Sequence, residues 1–143
     1  MGRRLHAALT HHQAGRLEQA AASYQQVLTA APEHQDALHL LGVLRYQEGR
    51  IDEALALLNR AVARAPDHVD ALCNLALVQK SAGDFDAAER SISRALAVSP
   101  ALPTAHNNMG SLLLRRGDLA GAIDAYREAI RLEPAYAEAQ INL

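Results

Sequence analysis

The segment GRIDEALALLNRAVARAP, Gly49 to Pro66, is followed by a second one built the same way, GDFDAAERSISRALAVSP, Gly83 to Pro100. Each opens on glycine and closes on proline. Between them lie apolar residues at helical spacing: Ile51, Ala54, Leu55, Leu58, Ala61 and Val62 in one, Phe85, Ala88, Ile92, Ala95 and Leu96 in the other. Outward from this pair the punctuation continues in both directions, with Gly15, Gly49, Gly83 and Gly117 in one series and Pro32, Pro66, Pro100 and Pro134 in the other. A residue that permits left-handed backbone and a residue that stops helices thus recur in step, which makes the chain one helix-turn-helix unit written four times.

Upstream of each glycine lies a first helix, A, with Ala37, Leu38, Leu41 and Leu44 in the second unit and Ala71, Leu72, Leu75 and Val78 in the third. The glycine ends helix A without a Cβ penalty, and the short connection turns helix B back antiparallel to it. Asp52, Asp84 and Asp118 lie near the starts of B helices, where acidic groups suit the exposed amides. Pro103 falls at the first position of the fourth A helix, where its missing N–H is harmless. His34 and His68 lie at unit junctions and read as parts of a solvated link.

Half of the residues are hydrophobic, only 3% are aromatic and none is tryptophan, so burial rests on Leu, Ile, Val and Ala, and the helices must pack closely. The net charge of −2 is spread evenly along the 143 residues. No stretch has the basic excess that nucleic acid or an anionic membrane surface would need. A lone cysteine, Cys73, cannot form an internal disulfide, which fits a reducing compartment. His6, Thr10, His11, His12 and Gln13 interrupt any apolar stretch near the start, so neither a signal peptide nor a membrane span is expected, and the location expected is cytoplasmic.

With proline at position 32, the frames are 1–34, 35–68, 69–102 and 103–136, and residues 137–143 begin a fifth. Position 8 is then always small (Ala8, Gly42, Ala76, Gly110) and position 20 always alanine (Ala20, Ala54, Ala88, Ala122). Position 24 carries Tyr24, Leu58, Ile92 and Tyr126, and position 27 carries Val27, Ala61, Ala95 and Ala129. In this frame the chain resembles the tetratricopeptide repeat over essentially its whole length. The resemblance implies an all-α fold, a right-handed α-solenoid of antiparallel helix pairs, formed by residues 1–143 as a single array. It departs from the family at position 4, often tryptophan there and here Arg4, Leu38, Leu72 and His106. It departs again at position 11, often tyrosine, here His11, Arg45, Gln79 and Leu113.

The resemblance also implies a concave groove lined by A helices at positions 2, 5, 6, 9, 12 and 13. Position 6 runs His6, Leu40, Asn74, Asn108 and Asn142. An amide offers a donor and an acceptor together, matching a peptide's own backbone. Helices packed about 8–10 Å apart would let one Asn per repeat grip about every third residue of an extended chain that rises about 3.3 Å per residue. Three such bonds, at about 0.5–1.5 kcal/mol each, fall short of the roughly 8 kcal/mol of micromolar binding. Apolar contacts from Leu40, Val43 and Leu77, with Ser111 toward the polar end, supply the remainder of the expected peptide site.

Other chemistries fare worse. His39, Cys73 and Asn107 share position 5 and contain the parts of a thiol protease, but nucleophile and base must lie about 2.6–3.2 Å apart, and equivalent positions on successive A helices start roughly a helix diameter apart. His6, His11 and His12 are offset by five and six residues where a zinc pair wants four. No catalytic, metal or cofactor site is expected. The chaperone-binding pattern of the family, tested on units two to four, is met only by Asn74 among His39, Val43, Asn74, Thr104 and Asn108.

The expected function is therefore a module that binds a peptide or protein segment, without nucleic acid or membrane as partner and without catalysis of its own. The Asn column also resembles that of O-linked N-acetylglucosamine transferases. One alternative is thus the substrate-recognition arm of a larger bacterial transferase, with its chemistry downstream. Another is a self-assembling scaffold. The fifth unit stops after AEAQINL, and truncation with end-to-end packing through a bare apolar end is the expectation there.

Overall fold

A computed structural model describes residues 2–134, and within them the architecture is all helical: α1 (Gly2–Gln13), α2 (Leu17–Ala30), α3 (Gln35–Gln47), α4 (Ile51–Arg64), α5 (Val69–Ser81), α6 (Phe85–Val98), α7 (Pro103–Arg115) and α8 (Leu119–Leu132). Odd-numbered helices are A helices and even-numbered ones B helices. They form two compact units, α1–α4 and α5–α8, that meet in sequence between Pro66 and Asp67. The fifth frame, with Asn142, and the expected end-to-end packing lie outside the described residues.

Every A helix ends the same way. Gly15, Gly49, Gly83 and Gly117 take φ between +79° and +88°, a conformation that strains any residue with a Cβ. In each turn the glycine N–H bonds the carbonyl three residues back and the next N–H bonds the one five back, as in Gly49 to Tyr46 (2.9 Å) and Arg50 to Arg45 (2.8 Å). This is the Schellman arrangement, which satisfies two orphan carbonyls and aims the chain into helix B.

Helix starts are less uniform. Asp84 and Asp118 cap α6 and α8, accepting from the N–H of Ala87 (3.1 Å) and Gly121 (2.9 Å). At the equivalent position of the first unit, Arg16 and Arg50 provide no side-chain cap. His34 and His68 prove to be N-caps: their Nδ1 atoms accept from the N–H of Ala37 (3.2 Å) and Ala71 (3.0 Å). Such a bond requires an unprotonated Nδ1. Leu102 precedes α7 and cannot cap, and Pro103 at the first turn removes one of the amides that would need a partner.

The seam between A and B helices is made by the small and bulky positions read from the register. Ala20, Ala54, Ala88 and Ala122 are at most 1% exposed, and Tyr24, Leu58, Ile92 and Tyr126 at most 2%. In the second and fourth repeats position 8 faces position 24 across the pair. A Cβ built on Gly42 would come within 2.8 Å of Leu58 Cγ, and one on Gly110 within 2.7 Å of the Tyr126 ring. In the first unit Ala8, Ala20, Ala21, Tyr24, Leu41 and Leu44 form one core cluster that ties α1, α2 and α3 together.

The departures at position 11 become latches between paired helices. Buried Arg45 pairs with Glu48 (2.8 Å) and, across to α4, with Glu53 (3.3 Å). Gln79 accepts from Ser91 of α6 (2.7 Å), and His11 accepts from Arg16 in the turn (2.9 Å). Leu113 packs on the cluster of Ala122, Tyr126 and Ala129.

Candidate functional site

Burial along the A helices is graded by position, and the gradient relocates the accessible chemistry. At position 5, His39, Cys73 and Asn107 are all buried. At position 6, Leu40 and Asn74 are half-buried and Asn108 is buried. At position 9, Leu9, Val43, Leu77 and Ser111 are half-buried, and at position 13, Gln13, Gln47, Ser81 and Arg115 are exposed. The last turns of the A helices therefore face outward, as do first-turn residues such as Asp70 and Thr104.

Position 5 presents no exposed nucleophile. Burial, helped by the charge of Asp70, pushes the Cys73 thiol up to about 11, so the thiolate that a nucleophile needs is suppressed. His39 stands in the first compact unit and Cys73 and Asn107 in the second.

The expected peptide contacts divide between the units. Leu40 and Val43 lie on α3 in the first, where Leu40 packs against the core cluster and so spends part of its surface internally. Asn74 and Leu77 lie on α5, and Asn108 and Ser111 on α7, in the second. Asn108 is 7% exposed, and its Nδ2 has no acceptor among the described residues. Asn142 lies outside the described residues.

In each unit a polar bridge links neighbouring A helices near their C-terminal ends. In the first, His12 Nδ1 lies 2.9 Å from the Tyr24 hydroxyl and Nε2 lies 2.8 Å from Gln47 Oε1. The amide oxygen only accepts, so Nε2 carries the proton and Nδ1 accepts from the tyrosine. In the second, Lys80 Nζ donates to Ser111 Oγ across 2.7 Å, joining α5 to α7. Ser111 also hydrogen-bonds Tyr126, whose buried phenol is raised by desolvation against the opposing effect of that bond.

Residues three or four apart share a helix face, so Asn74, Leu77 and Lys80 form a stripe on α5 and Asn108, Ser111 and Arg115 one on α7. Lys80 is a residue that sequence reasoning does not single out. A signal exists all the same, as it is the only lysine in the chain and stands at position 12. The histidines of the first unit are engaged locally, His11 with Arg16 and His12 with Tyr24 and Gln47.

Models described as Tetratricopeptide repeat match residues 11–75 and residues 73–137. The chain is a tetratricopeptide repeat protein. Its solved structural relatives include MamA (TM-score 0.85, 22% identity, covering 96% of this chain and 75% of that one). They also include YrrB, described as a tetratricopeptide repeat protein with an unusual peptide-binding site (TM-score 0.86, 20% identity, 95% and 70% covered). A third is a thermophilic tetratricopeptide repeat protein of Thermus thermophilus (TM-score 0.81, 23% identity, 94% and 75% covered). At such identities the likeness concerns the fold. No curated protein matches the sequence. The family matches carry the repeat and not the narrower likeness to glycosyltransferase arrays. Among the described residues no helix of this repeat protein is long and apolar enough to cross a membrane.

Proposed function

We propose that this repeat protein is a binding module that holds an extended peptide or protein segment against the outward turns of its A helices, and that no catalysis belongs to the chain. The observation that carries this reading is the pair of stripes on α5 and α7, in which amide, aliphatic and cationic or hydroxyl groups follow one another turn by turn: Asn74, Leu77, Lys80, and Asn108, Ser111, Arg115. Amides and the Ser111 hydroxyl address a ligand backbone, and Leu77 an apolar side chain, with Leu40 and Val43 doing the same in the first unit. Asn108 adds support as a buried donor that has no acceptor among the described residues, a state that costs about 1–3 kcal/mol and that a ligand carbonyl would relieve. The peptide-binding site in the name of YrrB is a precedent for such a role on this fold.

The test is Asn74→Ala with Asn108→Ala, assayed by fluorescence anisotropy against peptides selected from a displayed random library. Loss of two backbone bonds should weaken binding by about tenfold or more. Unchanged affinity in a variant that keeps its helical content would remove the Asn role.

A further inference from the structure

The outward end of the α5–α7 stripes holds two cations that no carboxylate among the described residues answers. Arg45, Arg50, Arg60, Arg64, Arg116 and Arg131 each stand within 4.0 Å of a glutamate or aspartate. Lys80 and Arg115 do not, as Arg3, Arg4, Arg16, Arg90 and Arg127 do not, but only these two stand together on the faces of neighbouring A helices that carry the stripes. Lys80 lies on the Ser111 hydroxyl at 2.7 Å. Arg115, one turn beyond Ser111, rests its guanidinium over the Phe85 ring with 5.6 Å to the centroid, which leaves its N–H fork unoccupied by any acid.

The two charges sense one another. Burial first, and the charge of Arg115 second, hold the Lys80 amine below its usual range. Like charges on neighbouring helices without a counter-ion disfavour the free state, and an anion placed between them removes the penalty. Two cations in a chain of net charge −2 are too few to bind a polyanion, but they match one carboxylate, with the guanidinium fork and the Ser111 hydroxyl as donors.

We infer that Lys80, Ser111 and Arg115 receive the side-chain carboxylate of an aspartate or glutamate in the bound peptide, with Leu77 taking an apolar neighbour, so that the second unit selects acidic segments. This rests on the peptide-binding reading above. The bound acid neutralises the pair, so the Lys80 amine returns toward its ordinary range on binding, and added salt weakens the complex.

The experiment is panning of a phage-displayed library of random dodecapeptides against the wild-type chain and against Lys80→Met/Arg115→Met. Arg115→Gln, at an exposed position, serves as the second variant if loss of Lys80 loosens α5 from α7. The expected result is enrichment of Asp or Glu at one fixed place beside an apolar residue. Changing that acid to Gln should weaken binding to the wild type about tenfold or more, while the variants bind both forms alike. Equal affinity for acid and amide forms would overturn the carboxylate site and leave the peptide groove standing. Recovery of no binding peptide would overturn both. Binding of a phosphoserine form more than about tenfold tighter than the glutamate form would overturn the carboxylate assignment in favour of phosphate.

Discussion

Gly110→Ala sets two well-known effects against each other, and the structure decides between them. Gly110 lies inside α7, so alanine gains about 0.8–1 kcal/mol of helix propensity. The added Cβ, however, would sit 2.7 Å from Cδ1 and Cε1 of Tyr126 and 3.0 Å from Cζ, against about 3.5–4.0 Å for unstrained carbon contact. The ring is 2% exposed and its hydroxyl is tethered to Ser111, so it cannot swing aside. The remaining adjustment separates α7 from α8, at the roughly 1–3 kcal/mol of an overpacked core. The net expectation is destabilisation of about 1 kcal/mol, or about 4 °C in midpoint, measured by thermal unfolding followed by circular dichroism. Tyr126→Ala supplies the second arm: once the ring is gone, Gly110→Ala should stabilise, giving a coupling of about 1 kcal/mol or more. Ala8 beside Tyr24 is the internal control, since α1 and α2 accommodate the same pair of side chains in one cluster. A raised midpoint for Gly110→Ala, or a coupling near zero, would refute the reasoning and mean that α7 and α8 open freely.

Three further outcomes follow from the packing. Because the Cys73 thiol is raised from 9.0 to about 11 by folding, the fold favours its protonated form. Stability is thus full well below pH 9 and falls by roughly 1 kcal/mol by pH 10; chemical denaturation at pH 7, 9 and 10 should show this loss and Cys73→Ala should abolish it. His68→Ala removes the α5 cap and should cost about 1 kcal/mol, whereas His68→Asp, which keeps an acceptor for the Ala71 N–H, should hold or raise the midpoint. Arg45→Ala takes the partner from Glu48, leaves Glu53 with Arg50 alone and opens a buried site on α3, with an expected loss of about 1–3 kcal/mol in urea unfolding.

The register of glycine and proline is legible because both act through their own backbone: φ above zero needs no neighbour to explain it, and neither does a missing N–H. The seam at positions 8, 20 and 24 is legible for a related reason, since a residue type repeated at fixed spacing reports the same packing each time. What cannot be read depends on distances between helices. Lys80 meets Ser111 only because α5 and α7 take a particular rotation, and nothing in either segment states it. Asn108 is expected at an accessible position and is buried, because exposure at position 6 is set by the side chains of adjacent helices. His34 and His68 read as a solvated link and are caps, because imidazole serves as an N-cap less often than Asp, Asn, Ser or Thr.

The position-11 latches bear on how a repetitive chain avoids assembling out of order. Four nearly interchangeable A helices and four B helices invite wrong partnerships while the chain collapses. Two of the pairs, α3 with α4 and α5 with α6, carry a polar contact of their own. Position 19, where Glu53 answers Arg45, is Ala87 in the third unit and Gly121 in the fourth. Position 23, where Ser91 answers Gln79, is Leu57 in the second and Ala125 in the fourth, and is serine again only in the first, at Ser23. An α3 docked on α6 would seal an arginine against a methyl group, and an α5 docked on α4 an amide against a leucine, mistakes penalised before the rest of the interface could close.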